Sequence, residues 1–116
     1  MPFAVDRRDI EDTVVVAVRG ELDIGTAPDL RVALMEAIER QPDGRIIADL
    51  EGLEFIDSAG LGILIGGRKR AQAGGGDLVL VSTGRNVAKI LELTGLMRVF
   101  DVYSSVSDAR EAARPD

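Results

Sequence analysis

The sequence predicts an α/β fold: a mixed, mostly parallel β-sheet of about five strands, opened by an N-terminal antiparallel hairpin and flanked by about four α-helices. Short β-branched or aliphatic runs, Thr13–Arg19 (TVVVAVR), Arg45–Leu50 (RIIADL) and Asp77–Ser82 (DLVLVS), read as buried strands. Segments with apolar residues at helical spacing alternate with them, which implies right-handed crossovers between parallel strands. Only the first two strands are joined by a link too short for a helix, Ile10-Glu11-Asp12, and that makes them a hairpin.

Taken in order, Phe3–Asp9 is a first, weaker strand and Thr13–Arg19 its partner. Thr26-Ala27-Pro28-Asp29 starts a helix, with Thr26 placed to cap, Pro28 in the first turn and Asp29 completing a capping box. Leu30, Leu34, Ala37 and Ile38 supply its apolar stripe, and Pro42-Asp43-Gly44 ends it. The strand Arg45–Leu50 is followed by a helix over Ser58–Ala73, which Gly74-Gly75-Gly76 breaks. After the strand Asp77–Ser82 comes a helix over Asn86–Thr94, with Gly95 suited to a left-handed position and Leu96 packing back. Val99–Tyr103 is a last short strand, and Ser105-Val106-Ser107-Asp108 caps a terminal helix reaching about Ala113. Residues 1–2 and 114–116 are expected to fray, leaving a single domain with a core over about 3–113. Periodicity does not decide whether the helices cover one face of the sheet or both.

Composition narrows the function. With 46% hydrophobic residues but only three Phe, one Tyr and no Trp, the core must be aliphatic. A net charge of -6 argues against a general binder of nucleic-acid phosphates. The one basic run, Arg68-Lys69-Arg70, reads as a solvated helix face. The absence of Cys excludes disulfides and thiolate chemistry, and the absence of His removes the commonest general base and metal ligand. No apolar run approaches a membrane span, and the N-terminus lacks the apolar core of a signal peptide, so a soluble cytoplasmic protein is expected.

The informative stretch is Asp49–Gly62 (DLEGLEFIDSAGLG), read as a loop from the carboxyl end of a strand to the start of a helix. In open α/β sheets that edge is where ligands and partners are met. A corresponding loop, Gly20-Glu21-Leu22-Asp23, lies on the same edge if its strand is parallel to the next. Ser58 falls at the helix N-cap or one residue from it, where its plainest role is to cap. The glycines behind it ask for more. Gly60, Gly62, Gly66 and Gly67 lie in one helix, and each forfeits about 0.8–1 kcal/mol relative to Ala. Either the helix packs closely on the sheet, or its bared surface admits a partner. Leu61, Ile63, Leu64 and Ile65 make it apolar all round, consistent with both.

Catalytic readings fail on the residues. A hydrolase elbow needs Gly two before Ser, where this chain has Ile56, and no His is present as base. No GKS or GKT exists, and Gly74-Gly75-Gly76 precedes a strand where a phosphate loop would follow one. Glu21, Asp23 and Asp57 read as solvated loop acids, and no metal or cofactor is expected.

The run Ile56-Asp57-Ser58-Ala59-Gly60-Leu61-Gly62 resembles the signature of the STAS domain family, in particular its bacterial anti-sigma factor antagonists. Gly20-Glu21-Leu22-Asp23 with Thr26-Ala27-Pro28, Leu93-Thr94-Gly95-Leu96, Val99–Tyr103 and Ser105-Val106 match further pieces in the same order, over about residues 10–112. The resemblance implies the STAS fold and a non-enzymatic protein that binds an anti-sigma factor of the serine-kinase type and so releases a sigma factor. It implies phosphorylation of Ser58 by that kinase, and reversal by a PP2C-type serine phosphatase. The surface it implies for the partner comprises Asp23, Thr26, Asp57, Ser58, Ala59, Gly60, Leu61 and Gly62. Many relatives carry Ser or Thr where this chain has Ala59, so Ser58 is the only hydroxyl in the motif. Within the same family, an accessory subunit of a lipid-transport ATP-binding-cassette complex would dock through this surface without phosphorylation. A small nucleotide hydrolase, the reading from another class, lacks His, Cys and a phosphate loop.

Overall fold

The structure, a computed structural model, describes residues 2–82 and 84–112. Along them run β1 (Ala4–Ile10), β2 (Thr13–Leu22), α1 (Ala27–Arg40), β3 (Arg45–Ile56), α2 (Ser58–Ala73), β4 (Asp77–Val81), α3 (Arg85–Leu93), a 3-10 turn (Leu96–Arg98), β5 (Val102–Tyr103) and α4 (Val106–Ala112). The strands form one five-stranded sheet in sequential order. β1 is antiparallel to β2, and the remaining pairs are parallel. The expected mixed sheet with its opening hairpin and flanking helices is what the chain forms.

Strand order answers what periodicity left open. Each right-handed crossover steps one strand further in the same direction, so α1, α2 and α3 fall on one face. There Val14, Val16 and Val18 of β2, Ile46 and Ala48 of β3 and Leu78 and Leu80 of β4 meet Leu30 and Leu34 of α1, Leu64 of α2 and Leu91 of α3. The alternate residues Val15, Ile47, Val79 and Val81 point to the opposite face, where Ala109 of α4 covers them. These three strands are thus buried on both sides, which is why they read as unbroken apolar runs.

Several boundaries differ from expectation, the largest at the site's own edge. β2 continues to Leu22 and β3 to Ile56, where loops were expected after Arg19 and Leu50. Beyond Arg19, which still pairs with Ala4 of β1 as well as with Gly52, the two extensions pair with each other alone, Gly20 with Leu53, Glu21 with Phe55 and Leu22 with Ile56, with register shifts between Ala17 and Arg19 and between Gly20 and Glu21. Gly20 supplies the positive φ, 86°, on one side of such a shift. At the other end, β5 shrinks to Val102–Tyr103 because Leu96–Arg98 coil into the 3-10 turn and Phe100 enters the core. Gly95 takes the left-handed φ of 76° expected of it, and Leu96 is buried. Ser105 caps α4 by accepting from the Asp108 N–H at 3.0 Å; the helix end expected near Ala113 and the fraying expected at residues 1 and 114–116 lie outside the described residues. Arg68 is not part of a solvated face: its Nε lies 3.6 Å from Asp77 and its guanidinium stands 6.0 Å from the Phe100 ring centroid. Lys69 and Arg70 are exposed.

The helix glycines divide into two kinds. A Cβ on Gly60 would stand 2.6 Å from Leu22 Cγ, and one on Gly67 would stand 3.0 Å from Leu34 Cδ1. Close packing against β2 and α1 explains both. A Cβ on Gly62 or Gly66 would meet nothing within 4 Å, so packing explains neither. Gly60→Ala is therefore expected to lower the unfolding free energy by about 1–2 kcal/mol through overpacking, whereas Gly62→Ala should raise it by about 0.8–1 kcal/mol through helix propensity. Urea midpoints at unchanged slope measure both; equal shifts in one direction would contradict the division.

Candidate functional site

The site is assembled by the β2 and β3 extensions. Because Leu22 pairs with Ile56, the next residues, Asp23 and Asp57, leave the sheet at the same edge. The Asp57 N–H donates to the Leu22 carbonyl at 3.1 Å and ties the start of α2 to the end of β2. Leu22 is fully buried beneath this junction.

The turn from β2 into α1 is closed by its own side chains. Asp23 Oδ1 accepts from the N–H groups of Gly25 at 2.9 Å and Thr26 at 3.1 Å. The Asp23 N–H donates to Thr26 Oγ1 at 2.9 Å, and that hydroxyl donates to the Glu21 carbonyl at 2.9 Å. Thr26 stands at the N-cap of α1 but makes no side-chain cap, contrary to the expected capping box. The reason is local: its hydroxyl is already engaged by the turn, and its backbone is already helical, with φ −107° and ψ −17°.

At α2 the cap belongs to Asp57. Its backbone is extended, with φ −110° and ψ −174°, and Oδ1 accepts from the Gly60 N–H at 3.0 Å. Ser58 is therefore the first helical residue and not the cap. It is exposed, and its hydroxyl makes no hydrogen bond among the described residues. Of the other residues singled out from sequence, Gly62 is exposed, Asp23, Thr26, Asp57 and Ala59 are half-buried, and Gly60 and Leu61 are buried. Sequence reasoning missed Ile24, which the β2–α1 turn leaves 80% exposed, and Phe55, 44% exposed at the end of β3. The spacing Asp23-x-Gly25-Thr26 was the available signal, since Asp bonds to backbone N–H groups two and three residues on in such turns. No helix among the described residues is long and apolar enough to cross a membrane.

Comparison with known proteins now decides the family. The family model described as STAS domain matches residues 4–109. The chain belongs to the STAS domain family. This STAS domain is 32% identical over 102 residues to the anti-sigma-B factor antagonist of Bacillus subtilis (strain 168), covering 88% of this chain and 92% of that one. Its backbone superposes with a TM-score of 0.88 on the crystal structure of an anti-sigma factor antagonist from Mycobacterium paratuberculosis, at 30% identity and covering 98% of this chain and 96% of that one. It superposes with a TM-score of 0.70 on the Bacillus cell fate determinant SpoIIAA in the phosphorylated form, at 26% identity and covering 97% of this chain and 100% of that one.

The division of labour between neighbouring residues is measurable in this STAS domain. Asp57→Ala should cost about 1 kcal/mol by removing the α2 cap, and Asp57→Asn far less, because Asn caps equally well. Ser58→Ala should stay within about 0.5 kcal/mol of the parent. Thermal or urea denaturation of the three variants checks this, and a Ser58→Ala loss as large as that of Asp57→Ala would return the capping role to Ser58.

Proposed function

We propose that this STAS domain is an anti-sigma factor antagonist switched by phosphorylation of Ser58. With the hydroxyl free, it binds an anti-sigma factor of the serine-kinase type and so frees a sigma factor. The kinase then transfers phosphate to Ser58, the complex parts, and a PP2C-type serine phosphatase restores the hydroxyl. The domain is a binding protein and a substrate in this cycle, not an enzyme.

The observation that carries the reading is the state of Ser58: exposed, at the first position of a 16-residue helix, with a hydroxyl that makes no hydrogen bond among the described residues while Asp57 does the capping. A kinase can take such a hydroxyl without dismantling the fold. That a relative of the same fold is known in a phosphorylated form supports the same reading. Ala59 leaves no neighbouring hydroxyl to compete.

Electrostatics supply the switch. Phosphate adds about −1.5 to −2 charges at neutral pH, next in sequence to Asp57. An acidic group of the bound partner about 6 Å from that phosphate, at an effective dielectric of about 20, costs about 3 kcal/mol, or about a hundredfold in affinity. Within the domain the α2 N-terminus favours the new charge. The cost therefore falls on the partner and not on folding.

Incubation with the cognate kinase and ATP should add one phosphate per chain, and Ser58→Ala should abolish it. Ser58→Asp should weaken binding by about tenfold or more, since it carries only part of the phosphate charge. Mass spectrometry and calorimetric titration read the two outcomes; phosphate persisting on the Ser58→Ala chain would sink the assignment.

A further inference from the structure

We infer that Ile24 is the apolar anchor of the partner interface, seating in a hydrophobic pocket on the anti-sigma factor; this rests on the proposed function. The sequence directs attention to Asp23 and Thr26 as the contact residues of the first loop. The structure uses Asp23 Oδ1 and the Thr26 hydroxyl inside the turn itself, on Gly25, Thr26 and Glu21. What the turn presents outward is the residue between them. Ile24 is 80% exposed, more than any other large hydrophobic side chain of the described residues. Its surroundings show no internal purpose for it, since it belongs to neither hydrophobic cluster.

The position of Ile24 is preorganised. Its turn is pinned on both sides, by the Asp23 and Thr26 bonds and by the Thr26 and Ala27 N–H groups donating to the Asp23 carbonyl at 3.1 and 2.7 Å. One residue before Asp23, the Leu22 carbonyl accepts from Asp57, so the turn is fastened to the helix start that carries Ser58. With its backbone pinned in the turn and fastened to the helix start, Ile24 needs little further backbone ordering on association. That is the arrangement of a hot-spot residue beside a charge-sensitive contact: burial of Ile24 supplies affinity, and the state of Ser58 decides whether it can be realised.

The test uses the full chain and the purified serine-kinase anti-sigma factors of the same genome, the cognate one being that which phosphorylates the wild-type chain. Ile24→Ala should raise KM for the antagonist, and Kd measured with ADP present, about tenfold, with kcat at saturation unchanged. Ile24→Leu should retain most of the affinity. Val32→Ala, which trims another exposed apolar residue, 58% exposed on α1, should bind as wild type does. Circular dichroism should give both Ile24 variants the parent's melting temperature, because Ile24 packs in no core. Wild-type KM and Kd in the Ile24→Ala chain would overturn the anchor while leaving the switch at Ser58 standing. Failure of every such kinase to phosphorylate the wild-type chain at Ser58 would instead remove the proposed function, and the anchor with it.

Discussion

The junction of Leu22 with the start of α2 is the constraint on which the site depends. Leu22 is fully buried, its carbonyl accepts from Asp57, and its side chain occupies the space that a Cβ on Gly60 would need. One residue thereby closes the β2 extension, seats the helix cap and brings α2 down onto the sheet. Without the glycine the helix start would have to lift. Without the β2 and β3 extensions there would be no platform beyond the main sheet on which the turn and the helix could meet.

This arrangement separates structural from functional duties residue by residue. Asp57 caps, Gly60 and Leu61 pack, Asp23 and Thr26 close a turn, and Ser58 and Ile24 are left to face outward. The polar side chains of Asp57, Asp23 and Thr26 near Ser58 are hydrogen-bonded internally. Substitutions in the neighbourhood therefore divide between those that perturb stability and those that perturb recognition, with Leu22 and Asp57 at the boundary between the two.

Much of the fold was legible because burial on both faces leaves a strong mark: TVVVAVR, RIIADL and DLVLVS could hardly be anything but strands. Gly95 and Ser105 were equally plain, since turn and cap chemistry is local. The strand extensions were not legible. Gly20-Glu21-Leu22 and Glu51–Ile56 carry glycines and acids that read as loop, and they become strand only by pairing with each other across a long sequence separation. Thr26 misled for a related reason: a Thr before Pro and Asp looks like a cap until the Asx turn begun three residues earlier at Asp23 takes its hydroxyl. Ser58 was found from its motif, but whether it or Asp57 caps the helix depends on which of the two has extended backbone, and that is set by the Asp57 bond to Leu22.

The transfer of the cap from Ser58 to Asp57 has a consequence for how information is held in the cell. A modification that left the helix uncapped would alter the lifetime of the protein as well as its affinity, because quality control acts on the unfolded fraction. Here the written residue has no such duty, so on the proposed reading modified and unmodified chains persist alike. The message is then carried by the ratio of two equally durable pools, readable at any total abundance and erasable without new synthesis.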